Sequence, residues 1–155
     1  MGGTHFRVLL VDLNEAHPGT EDGMTFRTFD VPAELMVGSV QLLFDHIADC
    51  IAQFVVDEEL QKEHLPLGFT FSFLCRQVSL TTAILESWSK GFKCDDALGQ
   101  NVAQLLTDAL AKRKDIDVEC VAVINDTTGK TSSFAVQTIY NIFLSLLPNF
   151  HLSSP

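Results

Sequence analysis

The sequence predicts an α/β domain built on a mixed sheet with flanking helices. Three observations carry that prediction. Strand-like apolar runs alternate with amphipathic stretches in the order strand, strand, helix, strand, short strand, helix, strand. The length, 155 residues, suits one domain, which at this size buries roughly 70% of the surface its unfolded chain exposes. The 46% hydrophobic content and 12 phenylalanines supply core material that disordered chains lack.

Phe6 to Leu13, FRVLLVDL, is a short apolar, β-branched run that suits a central strand covered on both faces. Pro18, Gly19, Asp22 and Gly23 mark a loop. Phe26 to Val31 follows as a second strand, completing a hairpin with a long connection. Pro32 then opens a long helical segment, a position where its missing N–H costs nothing. Val40, Leu43, Phe44, Ile47, Ile51, Phe54 and Val55 form the apolar stripe of that helix. Asp57 to His64 is a charged exit loop. Leu67 to Phe73, LGFTFSF, alternates strictly, which predicts a strand with Leu67, Phe69, Phe71 and Phe73 on one face. Ile84 to Ser89 is a short strand. Gly99 and Asn101 start a second helix with Val102, Leu105, Leu106, Ala109 and Leu110 as its stripe, and Lys112 to Lys114 lie near its C-terminus, where positive charge is favoured. Val118 to Ile124 is the last strand of the domain.

The formal net charge is −10 and the pI is near 4.7. That balance, without a basic patch, argues against nucleic acid and against anionic membrane surfaces. Cys50, Cys75, Cys94 and Cys120 form no CxxC pair, so a zinc ribbon is not expected and no metal site is assigned; they read as thiols of a reducing compartment. No secretory signal is visible, and the expected location is the cytoplasm. Residues 131–155 contain no Asp, Glu, Lys or Arg. The apolar part, Phe134 to Leu147, is short for a spanning helix, which needs about 20 apolar residues. It reads either as a helix packed on the domain or as a poorly ordered tail.

Four segments carry chemistry. Gly2-Gly3-Thr4-His5-Phe6-Arg7 offers backbone N–H groups with no Cβ in the way of a phosphate, although an ordinary turn into a strand has the same appearance. Ser72, in Thr70-Phe71-Ser72-Phe73, lies near the end of a strand, where α/β sheets place ligands. Ser89 and Lys90, in Trp88-Ser89-Lys90-Gly91-Phe92-Lys93, put a hydroxyl and an ammonium side by side, able to hold sugar hydroxyls and offset developing negative charge, or simply to face solvent. Asn125 and Asp126 follow a buried strand, a place for a catalytic carboxylate or for a helix N-cap.

Together and in this order, GGTHFR, LGFTFSFL, WSKGFK and INDT resemble the phosphate loop, the LGFTFSFP segment, the W-T/S-KGFK loop and the NDT segment of the hexokinase family, glucokinases included. LFDHIADCIAQF and NVAQLLTDALAKR are similar to helices of that family. The resemblance covers Gly2 to Gly129. It implies the actin-like, ribonuclease-H-like α/β fold, with residues 1–129 as the small lobe and 130–155 as a divergent apolar tail. It implies that Ser72, Ser89, Lys90, Asn125 and Asp126 contact a hexose such as glucose. Asp126 would then be the catalytic base, with Lys90 assisting at the reacting oxygen. Gly2, Gly3, Thr4 and Arg7 would belong to the ATP-phosphate loop, with ATP carried as its magnesium complex.

The departures bear on activity. The aspartate and the strand that the family carries ahead of its glycine pair are not among these residues. His5 stands for asparagine, Leu74 for the proline after Phe73, and Ser89 for threonine, keeping the hydroxyl. The family's large lobe, with its glutamate sugar ligands, second phosphate loop and adenosine pocket, does not follow Gly129. The resemblance therefore implies ATP-dependent phosphorylation of a hexose at O6 in glycolysis, by a truncated form with little activity alone. Two alternatives stand beside it. One is a non-catalytic sugar-binding or regulatory module that docks on another hexokinase chain. The other is a splice or gene-model product with a foreign tail.

Overall fold

The computed structural model describes residues 4–12, 23–125 and 142–146. The chain opens with β1, Thr4–Val11, and β2, Met24–Val31. These pair antiparallel from Thr4↔Val31 to Val11↔Met24, the hairpin that the two apolar runs predict. Two helices follow where one was expected: α1, Ala33–Met36, and α2, Val40–Asp57. The break falls at Gly38-Ser39. Ser39 caps α2, its hydroxyl accepting from Gln41 N at 3.2 Å. Asp96 completes the cap from a distant loop, accepting from Val40 N at 3.0 Å and from Ser39 Oγ at 3.1 Å. A serine N-cap and a remote carboxylate thus start a new helix instead of prolonging the first.

Then come β3, His64–Phe71; β4, Leu74–Ser79; β5, Thr82–Ser87; a 3₁₀ turn, Asp95–Ala97; α3, Val102–Ala111; β6, Asp117–Asn125; and β7, Ile142–Leu146. β4 and β5 form a separate two-stranded antiparallel ribbon. The remaining strands make one mixed sheet in the order β2-β1-β7-β3-β6. β3 is parallel to β6 on one side and to β7 on the other, whereas β7 is antiparallel to β1. The expected helix in the tail is therefore corrected over Ile142–Leu146, which is a strand in the sheet interior. A charge-free apolar run fits either periodicity; the open backbone groups of β1 and β3 on its two sides decide for the strand.

The core lies between the sheet and the helix layer. Phe6 and Val8 of β1, Leu67, Phe69 and Phe71 of β3, and Phe44, Ile47, Ile51 and Phe54 of α2 are all fully buried. Phe44 meets Phe69 edge-on with ring centroids 6.3 Å apart. β3 is buried on both faces over residues 67–71, since Gly68 and Thr70 are covered too. β1 is less enclosed than its composition predicts: Arg7 is exposed, and Leu9 and Leu10 are half-buried. α3 packs on α2, β5 and β6. Asn101 caps it, accepting from Ala103 N at 3.2 Å, and Lys114 Nζ reaches back to the Ala111 carbonyl at 3.1 Å, as positive charge at a helix end should. No described helix is long and apolar enough to cross a membrane.

Where β3 and β6 begin, His64 sits between two carboxylates, Nδ1 3.1 Å from Asp117 and Nε2 3.2 Å from Glu119. The hydrogen bond to Asp117 and the two negative charges hold the imidazole above its ordinary value of 6.5. A raised folded pKa gives stability that is fully present below the unfolded value and is lost as pH rises through the folded one. Denaturant midpoints of the wild type and His64→Gln are thus expected to differ below about pH 6.5 and to converge at alkaline pH. The two exposed partners keep the difference small.

Candidate functional site

The parallel pairing of β3 and β6 brings their C-terminal ends to one edge of the sheet, with Phe71 registered against Asn125. Ser72 follows directly and is buried. The same register places the start of β1 there. Arg7 pairs with Ser145, Ser145 with Thr70, and β1 runs opposite to β3. Thr4, three residues before Arg7, therefore lies toward the edge where Ser72 and Asn125 stand.

The loop after β5 supplies the third side of this rim. Ser89 to Phe92 form a tight turn, Phe92 N–H donating to Ser89 O at 3.1 Å. Lys90 has φ 57° and Gly91 φ 86°, two successive left-handed residues as in a type I′ turn. For Gly91 that conformation is free of strain; for Lys90 it costs on the order of 1 kcal/mol. Several contacts hold the turn. Trp88 and Phe92 stack with ring centroids 5.5 Å apart, and Phe73 stands edge-on to both, at 4.8 and 5.0 Å. Lys90 Nζ lies 5.8 Å from the centre of the Phe73 ring, at the outer limit of a cation–π contact. Trp88 Nε1–H donates to Cys94 O at 2.7 Å, and Lys93 N–H donates to Met36 O at 2.7 Å. Burial, then the nearby charges of Asp96 and Asp95, push the Cys94 thiol above its ordinary pKa. It stays protonated and donates weakly toward Leu35 O at 3.4 Å.

The structure thus brings together Thr4, Ser72, Ser89, Lys90 and the backbone of Asn125. Ser89 and Lys90 are exposed. Arg7 sits lower on β1, its guanidinium 4.7 Å from the centre of the Phe26 ring. Gly2, Gly3 and Asp126 lie outside the described residues. Leu74, which stands where the family has proline, opens β4 and is half exposed. Sequence reasoning missed Trp88, Phe73 and Phe92 as a scaffold; the one available signal was the crowding of aromatic residues around Lys90-Gly91. It also missed Thr70, whose buried hydroxyl has no hydrogen-bond partner among the described residues. Among the described residues no group of three His, Cys, Asp or Glu side chains is placed to hold a metal.

A mixed five-stranded sheet, helices packed on it, and polar residues gathered at the strand ends define an actin-like, ribonuclease-H-like α/β lobe. The sequence profile of the family described as "Hexokinase" matches residues 1–136. Hexokinase-1 of Pongo abelii is 44% identical over 137 residues, covering 88% of this chain and 15% of that protein. Human hexokinase-3 is 45% identical over 133 residues, covering 86% of this chain and 14% of that protein. Among solved structures, the hexokinase of Schistosoma mansoni complexed with glucose matches with a TM-score of 0.73 and 44% identity, over 89% of this chain and 30% of that one. A second hexokinase crystal structure matches with a TM-score of 0.66 and 35% identity, over 90% of this chain and 32% of that one. This chain belongs to the hexokinase family, and it spans less than a third of each of these relatives.

Proposed function

We propose that the chain forms the sugar-facing small lobe of an ATP-dependent hexokinase that phosphorylates a hexose such as glucose at O6 in glycolysis, with little turnover by itself. The carrying observation is the meeting of three separate segments, Ser72, Ser89-Lys90 and Asn125, at one sheet edge. In this reading Ser72, Ser89, Lys90 and Asn125 hold hexose hydroxyls. Asp126 accepts the proton of the C6 hydroxyl as that oxygen bonds to the γ-phosphorus of ATP. The bond from that phosphorus to the bridging oxygen breaks, and ADP leaves. Lys90 offsets charge at the attacking oxygen. Gly2, Gly3 and Thr4 offer backbone N–H groups to the phosphates, and Arg7 adds positive charge behind them. Magnesium, carried with ATP, neutralises phosphate charge. Phosphoryl transfer asks a protein mainly for this positioning and neutralisation.

The exposure of Ser89 and Lys90 supports weak catalysis by these residues alone, since water competes for the same donors. Calorimetry with glucose is expected to give a saturable but weak heat, and a coupled assay little glucose-6-phosphate. Robust turnover that Asp126→Ala abolishes would overturn the view of a nearly inactive lobe. A flat titration would remove the sugar site itself. The exposed side chains of Leu74, Val78 and Leu80 on the β4–β5 ribbon favour a second role, docking on another hexokinase chain. Light scattering behind size exclusion, with and without sugar, separates it from a plain monomer. Cys50, Cys75, Cys94 and Cys120 form no disulfide among the described residues, which supports a cytoplasmic location.

A further inference from the structure

We infer that Trp88 is a positioning residue. It locks the Ser89-Lys90 turn to the strand end that carries Ser72, so that the two parts of the rim hold one geometry. The inference rests on the reading of this rim as a hexose site.

Trp88 is the single tryptophan of the chain. It is half-buried, with its ring between the core and the rim. Its contacts run in two directions. On one side it meets Phe71 at 5.9 Å and Phe73 at 4.8 Å, the residues immediately before and after Ser72. On the other side it stacks on Phe92 at 5.5 Å and donates its indole N–H to Cys94 O at 2.7 Å, closing the loop beyond Lys90. The indole therefore touches both flanks of one predicted sugar contact and the far end of the turn bearing the other two, which it directly precedes in the chain.

A residue that only fills the core needs no N–H and no such placement. The strained backbone of Lys90, φ 57°, needs more than its own turn hydrogen bond, because a non-glycine residue stays in that region only when its surroundings over-determine it. Trp88 supplies the missing constraint. Its ring stacks on Phe92, its N–H holds Cys94 O, and its T-shaped contact ties the turn to Phe73. Phenylalanine at this position retains the stacking and loses the hydrogen bond; leucine loses both.

The test compares wild type, Trp88→Phe and Trp88→Leu. Glucose titrations are run well below the melting temperature of each, together with amide exchange at residues 71–75 and 89–94. Removing one hydrogen bond is expected to raise the glucose Kd of Trp88→Phe about fivefold. Losing the aromatic contacts as well is expected to raise that of Trp88→Leu by about tenfold or more. Exchange in Trp88→Leu should quicken in both segments, although residues 71–75 are distant in sequence from the substitution. A purely structural tryptophan would lower the melting temperature and leave the Kd of the folded protein unchanged, which overturns the inference. If wild type binds no glucose, the hexose reading falls, and exchange decides the coupling by itself. Faster exchange in both segments supports it, and faster exchange confined to 89–94 overturns it.

Discussion

Leu144→Pro is expected to cost the domain more than about 3 kcal/mol, a large share of the 5–15 kcal/mol by which a domain is usually stable. Leu144 pairs with Val8 of β1 in antiparallel register and with Phe69 of β3 in parallel register. A proline there removes a backbone donor and puts its ring where an interior strand has no room. The position matters more than the single bond. In the sheet order β2-β1-β7-β3-β6, β7 joins the hairpin at one side to the parallel pair at the other. Without it the sheet divides into two pieces of two strands, and a two-stranded piece is marginal in water. The rim suffers with it, because Thr4 is set against Ser72 through the shared register with Ser145. The strand also lies beyond residue 136, where the family match ends, so this tail has a structural task that the family profile does not define. Urea denaturation followed by circular dichroism measures the loss. An unchanged midpoint would mean that residues 142–146 do not hold the sheet together.

That strand also marks where the sequence stops being legible. α2 and α3 could be read because their apolar residues repeat at three and four, a pattern that leaves few alternatives. β3 was legible from the strict alternation of LGFTFSF, and the β1–β2 hairpin from two apolar runs around a Gly- and Pro-containing loop. β4 was not, since all of LCRQVS but Cys75 is exposed, and a strand lying on solvent carries no burial pattern. The break between α1 and α2 was hidden because one of its causes, Asp96, is 56 residues from Val40. β7 was hidden because an uncharged apolar segment satisfies helix and strand alike until its neighbours are known. The site divides the same way. Short motifs nominated Ser72, Ser89, Lys90 and Asn125 as candidates, and strand register and ring contacts set those segments along one sheet edge. The aromatic bracket of Phe73, Trp88 and Phe92 was not legible, because it joins residues on two different segments. Nor was the hydroxyl of Thr70, buried without a partner among the described residues.

Phe71→Ala is expected to be as destabilising as Phe69→Ala, by about 3–5 kcal/mol each, and to differ from it in what happens to sugar binding. Both rings are essentially inaccessible, at 0% exposure for Phe69 and 1% for Phe71, so truncation leaves comparable cavities. Their neighbours differ. Phe69 packs on Phe44 of α2 at 6.3 Å and on Phe71 at 5.3 Å, entirely within the core. Phe71 packs outward, on Phe73 at 4.9 Å and on Trp88 at 5.9 Å, and it directly precedes Ser72. A cavity under Phe71 lets the aromatic bracket settle inward and carries the Ser89-Lys90 turn away from Ser72; one under Phe69 is absorbed by helix and sheet. Glucose titration of the folded variants should therefore show heat retained in Phe69→Ala and lost in Phe71→Ala. Should the alanine variants be too unstable to titrate, the leucine variants keep most of the volume at a cost of about 1 kcal/mol, and the same ordering is expected. Equal loss of sugar binding in both would place the link between core and rim in the sheet as a whole rather than in the aromatic chain that runs from Phe71 to Lys90.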